Sequence, residues 1–164
     1  MRKLLPLFAC CLLLSGCGLK PLYSGGTQSS VSQALGQVEI PAIQGRSGWL
    51  VRNALRDRLQ PMADQGAARY RLVIALDDVI EGLGVRADDT ISRERRTLRA
   101  RYQLIDLATG RTVLDATAGS DAGIDVTSSE YATIAAENTA LENLAQEVAD
   151  QIVARLALTL RAKP

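Results

Sequence analysis

The stretch "ISRERRTLRARYQLID", residues 91–106, decides the fold. Leu98, Ala100, Tyr102 and Leu104 fall at every second position, and Arg93, Arg95, Thr97, Arg99, Arg101 and Gln103 fill the alternate places. A period of two is that of a β-strand, in which successive side chains point to opposite faces. One face of this strand therefore meets a core. The other presents four arginines, with neighbours on that face about 6.6 Å apart along the strand.

Working outward, Ala108-Thr109-Gly110 reads as a hairpin turn, and the chain continues as a strand from Thr112 to about Val126. Gly119 and Gly123 interrupt it and are expected to mark bulges. Upstream, Tyr70 to Val79 is a further strand. Leu72-Val73-Ile74-Ala75-Leu76 is apolar at every position, which predicts a place inside the sheet with both faces covered. Gly82 and Gly84 then read as part of a turn.

The period changes between Ser47 and Met62. Leu50, Val51, Ala54, Leu55, Arg58 and Leu59 recur at steps of three and four, as on one side of a helix. Ser47 is the expected N-cap, and Pro61 and Gly66 mark the end. A first strand is expected at Val38–Ile43, at a sheet edge because Pro41 has no N–H to give. A long helix starting at Ser128 or Ser129 carries Ile134, Leu141, Leu144, Ala145, Val148, Ile152, Leu156 and Leu160 as its apolar stripe. The order β-α-β-β-β-α predicts an α/β two-layer sandwich: about four strands in a mixed sheet, with two helices packed on one face. This single domain covers residues 37–164.

The N-terminal segment has a different character. Met1-Arg2-Lys3 is positive, and Leu4 to Leu14 is almost wholly apolar. As a helix that run is about 16 Å long, too short for a bilayer core of about 30 Å. It fits a secretory signal peptide, residues 1–16. Leu14-Ser15-Gly16-Cys17 resembles the bacterial lipobox, whose cysteine is alkylated by diacylglycerol and, after cleavage, acylated on its new amine. Cys10 and Cys11 leave with the signal, so Cys17 would be the only cysteine of the mature chain. A lone cysteine makes no internal disulfide and no multi-thiolate metal site. Gly18 follows it in place of aspartate, which by resemblance to lipoprotein sorting implies the outer membrane. Residues 17–36, with Ser24-Gly25-Gly26-Thr27-Gln28-Ser29-Ser30 at their centre, are expected to form a lipidated flexible tether.

Removing residues 1–16 takes two of the 19 basic residues and none of the 18 acidic ones, which leaves a net charge of −1 over 148 residues. Such a balance does not point to nucleic acid. The chain has no histidine, which excludes histidine-dependent triads and most zinc sites. The mature lysines, Lys20 and Lys163, lie near the termini, so a Ser-Lys pair is not expected. Asp77-Asp78 and Asp88-Asp89 are adjacent carboxylates, and neighbours on a strand point to opposite faces. The expectation is a protein that is not an enzyme, with no metal and no cofactor.

Several features together resemble the LPS-assembly lipoprotein LptE family in its alphaproteobacterial form. They are Cys17-Gly18 followed by Pro21-Leu22-Tyr23, then Arg52-Leu55-Leu59 in the first helix and Arg69-Tyr70-Leu72 at a strand start. Arg99-Tyr102-Leu104-Asp106 and the Gly110 turn follow, and Ser129-Tyr131-Ala132 leads into the last helix. The resemblance implies a non-catalytic component of the lipopolysaccharide transport machinery, lipid-anchored to the outer membrane on its periplasmic side. It implies a plug and assembly partner of the LptD β-barrel that assists insertion of lipopolysaccharide into the outer leaflet. An alternative is an auxiliary periplasmic lipoprotein of an ABC-type lipid transport system.

Arg93, Arg95, Arg99 and Arg101 are the candidate site. Guanidinium groups hold phosphates bidentately, so the row could bind the phosphates of lipopolysaccharide. It could also be a solvated face paired with acids on neighbouring strands, such as Glu39 or Asp115, or a surface against polar groups inside the barrel.

Overall fold

The computed structural model describes residues 30–59, 67–85 and 91–161. The signal segment, Cys17, the first part of the tether and Asp88-Asp89 lie outside these. Among the described residues seven elements follow in order: α1 (Ser30–Gly36), β1 (Val38–Glu39), α2 (Gly45–Leu59), β2 (Tyr70–Val85), β3 (Ile91–Asp106), β4 (Thr112–Asp125) and α3 (Glu130–Arg161). The sheet order is β1-β2-β3-β4. β1 runs parallel to β2, and the other pairs are antiparallel, so the sheet is mixed. The helices cover one face, which makes the expected two-layer α/β sandwich.

The core is the meeting of two periodicities. From the sheet come Leu72, Leu98, Ala100, Tyr102, Leu104, Ala118 and Ile124, all buried. From α3 come Leu141, Leu144, Ala145, Val148, Ile152, Leu156 and Leu160 at helical spacing, and from α2 Val51, Ala54, Leu55 and Leu59. Each fully buried large aliphatic side chain contributes about 1.5–3 kcal/mol relative to exposure. Ile134, expected in the α3 stripe, is exposed, and Thr133 is buried in its place. The Thr133 hydroxyl donates to Ser129 O and accepts from Thr127 N–H, so its polar group is satisfied inside. The Ser129 hydroxyl accepts from Ala132 N–H and caps the helix.

Several expectations need correction. The tether does not run to Gly36: residues 30–36 are helix α1, which packs on α3. Val31 and Leu35, one turn apart, are buried, and Leu35 is wholly so. Polar neighbours such as Ser30 and Gln33 masked this pair in the sequence. β1 ends at Glu39, short of Ile43, because the chain turns away before Pro41 into α2. That helix begins at Gly45, two residues before the expected cap, and Gly45 takes a left-handed φ of 81°. Strand β2 extends through Gly82 and Gly84 to Val85, held in the ladder by β3 pairs such as Gly82↔Glu94 and Val85↔Ile91. Gly119 and Gly123 lie in unbroken register opposite Arg99 and Arg95. The irregularity sits instead at Leu104/Ile105.

The largest difference concerns β2. Among the described residues only one of its faces is covered. Leu72 is buried and Ile74 and Leu76 half-buried, whereas Val73, Ala75 and Val79 face away from the helices and are exposed. All the described helices lie on the other side, so the apolar run is half core and half surface.

Candidate functional site

The arginine row lies on this uncovered face of the sheet. Antiparallel register fixes its neighbours, since residues directly opposite each other share a face. Arg93, Arg95, Thr97, Arg99 and Arg101 lie opposite Asp125, Gly123, Asp121, Gly119 and Thr117 of β4. On the other side they lie opposite Leu83, Glu81, Val79, Asp77 and Ala75 of β2. The face is therefore striped: acids and apolar residues on β2, bases on β3, acids and small residues on β4.

Most of the row is paired. Arg93 Nε donates to Asp125 at 3.2 Å, and Arg95 approaches Asp121 at 4.0 Å. Arg101 reaches Asp115 at 3.1 Å, and Gln103 donates to the same carboxylate at 2.8 Å. These bonds hold the Asp115 carboxyl below its usual range and raise the Arg101 guanidinium. At the far edge Arg71 pairs with Glu39. Both acids that the sequence pointed to, Glu39 and Asp115, are thus engaged, but only Asp115 by an arginine of the row. Arg99 differs. Among the described residues it makes no ion pair, although Asp77 lies opposite. Its side chain lies flat over Gly119: a Cβ there would sit 2.5 Å from Arg99 Cδ and 2.6 Å from Nη1. Gly119 is what lets the guanidinium lie down across β4. Beside it, Ala75, Asp77, Arg99, Arg101 and Thr117 line a shallow depression of about 390 Å³.

Asp77 and Asp78 point to opposite faces, as adjacent strand residues must. Asp77 is on the open face. Asp78 is under the helices, where Arg96 grips it with two bonds of 2.8 Å and also donates to Glu137 O in α3 at 3.0 Å. Arg96 was invisible as a site in the sequence: amid Arg93, Arg95, Arg99 and Arg101 only its parity marks it as facing inward. Elsewhere Arg58 holds Asp150 and Gln146, which ties α2 to α3 and keeps the Asp150 carboxyl below its usual range. Arg52 donates to Ile40 O and Pro41 O and so fastens the β1–α2 connection. Arg69 lies over the Tyr70 ring, 5.2 Å from its centroid. These three arginines are scaffold.

The comparisons with known proteins agree on the architecture. A putative lipoprotein from Caulobacter crescentus CB15 matches with a TM-score of 0.67 and 27% identity, over 83% of this chain and 98% of its own. A lipoprotein B from Nitrosomonas europaea matches with a TM-score of 0.59 and 13% identity, over 76% of this chain and 83% of its own. The rare lipoprotein B from Shewanella oneidensis matches with a TM-score of 0.51 and 16% identity, over 74% and 92%. The last two likenesses show the fold alone. No curated protein matches the sequence. The family model described as "LptE: Lipopolysaccharide-assembly" matches residues 35–156, which run from the last two residues of α1 through β4 and most of α3. The chain belongs to the LptE lipopolysaccharide-assembly family.

Proposed function

We propose that this protein is a lipoprotein of the outer membrane, anchored on the periplasmic side through Cys17, and that its folded domain is the partner and plug of an LptD-type β-barrel. The carrying observation is the family match over residues 35–156. The Leu14-Ser15-Gly16-Cys17 motif and the lipoprotein relatives support the anchor. Its role is non-catalytic: it helps the barrel deliver lipopolysaccharide to the outer leaflet.

Two experiments test this. Purification in mild detergent followed by mass spectrometry should return one large β-barrel protein; a set of inner-membrane transporter components in its place overturns the barrel reading. Cys17→Ala should accumulate as unprocessed precursor, and maturation to wild-type size overturns the anchor.

Within this reading the row of Arg93, Arg95, Arg99 and Arg101 meets the anionic part of lipopolysaccharide, with Arg99 in the leading role. Three of the four already have an aspartate countercharge within 4.0 Å, so Arg99 is the guanidinium whose charge no described acid offsets by an ion pair. Charge-assisted bonds are worth about 1.5–3 kcal/mol, and solvent screening on this open face favours the lower end. Arg99→Gln should weaken lipopolysaccharide binding about tenfold, and Arg93→Gln much less. Equal small effects from both return the row to a solvated, self-paired face.

A further inference from the structure

β4 is the last strand of the sheet, and its outer edge carries a device of its own. The side-chain amide of Gln151 in α3 meets the backbone of Gly119 at two points. Gly119 N–H donates to Gln151 Oε1 at 3.1 Å, and Gln151 Nε2 donates to Gly119 O at 3.2 Å. A primary amide bonded to both groups of one residue imitates the peptide unit of a neighbouring strand. Beside it, the Ser120 hydroxyl donates to Glu147.

This contact fixes the parity of the whole edge. If Gly119 turns both backbone groups away from β3, its pair with Arg99 is of the non-hydrogen-bonded kind. Asp115, Thr117, Asp121, Gly123 and Asp125 then also direct N–H and C=O outward. Val126 N–H bonds to Ser92 O across the ladder, which independently assigns the even positions to β3. Among the described residues the outward groups of these five positions have no hydrogen-bond partner. An edge 14 residues long with one plugged position is a template for another strand.

The side chains along the edge say what kind of strand fits. On the open face stand Asp115, Asp121 and Asp125, all exposed. Each carboxylate meets a β3 arginine on its inner side, and a carboxylate has about four acceptor positions. The stripes run acid, base, acid from β2 to β4, so the next strand outward completes the alternation if it is basic. On the helix side Ala116 and Ala118 are small. With Tyr102, Asp115, Thr117, Gln151 and Arg155 they line a depression of about 460 Å³ with room for small side chains. A second copy of this edge fits poorly, because it would set one aspartate row against another.

We propose that the outer edge of β4 is a strand-addition site for an extended segment of a partner protein, basic on the face it shares with Asp115, Asp121 and Asp125. Gln151 holds the place of the incoming backbone at Gly119 and is displaced when it docks. This site is separate from the anion reading of Arg99 and does not depend on it.

The test uses the whole chain in mild detergent and a blocked nine-residue peptide alternating lysine with valine and threonine. Amide hydrogen exchange at Thr117, Asp121, Gly123 and Asp125 should slow when the peptide binds. The same peptide with glutamate for lysine, or with N-methyl groups on the amides that face β4, should not slow it. Gly123→Pro removes an outward N–H that the β3 ladder does not use, and nothing lies within 4 Å of a Cβ there. It should keep the melting temperature and weaken the peptide by about fivefold, the worth of one net backbone hydrogen bond. Gln151→Ala should strengthen binding, since no side chain then has to leave. Unchanged exchange, or binding indifferent to N-methylation, overturns the proposal. Amides slowed before any peptide is added assign the edge to another segment of this chain, and slowing that grows with protein concentration assigns it to a second copy. Either result also overturns the proposal.

Discussion

Replacing Arg96 by methionine should be the most damaging single change among the strand arginines, although in the sequence only its parity sets it apart. The Arg96 side chain is 12% exposed and that of Asp78 20%. Both bonds between them are 2.8 Å long, and a third ties Arg96 to Glu137 O. Arg96→Met leaves the Asp78 carboxylate under α3 without a countercharge. Breaking a buried pair from one side costs about 3–5 kcal/mol. Some water still reaches this pair, so the low end, about 3 kcal/mol, applies. With a urea slope of about 2 kcal/mol per molar, the unfolding midpoint should fall by about 1.5 M. Arg93→Met is the control. Its pair with Asp125 is 64% and 79% exposed, and exposed pairs are worth about 0–1 kcal/mol. The double change Arg96→Met with Asp78→Leu should recover most of the loss, because an apolar pair of similar volume often replaces a buried ion pair without cost. Urea unfolding followed by circular dichroism reads all four proteins. If Arg96→Met moves the midpoint no further than Arg93→Met, the pair is not buried in the sense argued, and the reasoning fails.

Three further outcomes are expected. Leu35→Ala should cost about 2–4 kcal/mol in the same assay, because Leu35 is wholly buried in α1; a flexible tether at this position would lose nothing. Gly48→Ala should destabilise by about 1–3 kcal/mol, against a helix-propensity gain of up to about 1 kcal/mol, since its Cβ would sit 2.7 Å from Ile43 O, a backbone atom of the segment that Arg52 fastens. The Asp150 carboxyl is held down by its hydrogen bonds from Arg58, so its folded pKa lies below the unfolded value of about 3.9. Its contribution is then complete above that value and lost as pH falls through the folded one, so Asp150→Asn should shrink the drop in urea midpoint between about pH 6 and pH 3, and an unchanged drop would assign acid sensitivity to other carboxylates.

Periodicity determined much of this protein. The alternation of residues 91–106 required a strand with one buried and one polar face, and Leu98, Ala100, Tyr102 and Leu104 are indeed the buried set. The three- and four-residue steps of α2 and α3 required helices, because local backbone geometry alone sets which side chains share a face. The family resemblance was legible because its motifs are short local strings, some of them, such as Leu55, Leu59, Tyr102 and Leu104, at core positions. Tertiary structure decided what periodicity leaves open. Leu72–Leu76 is equally apolar on both sides, so only the placement of the helices selected which side is core. Strand parity puts Arg95 and Arg96 on opposite faces, but only packing brings Asp78 and Glu137 O to Arg96. Arg99 lies down over Gly119, 20 residues later, whereas Arg95 faces Gly123 without doing so, and Gln151, on another element, closes the sheet edge at Gly119. Register and packing bring together residues far apart in the chain, and no local pattern records which strand positions will face each other.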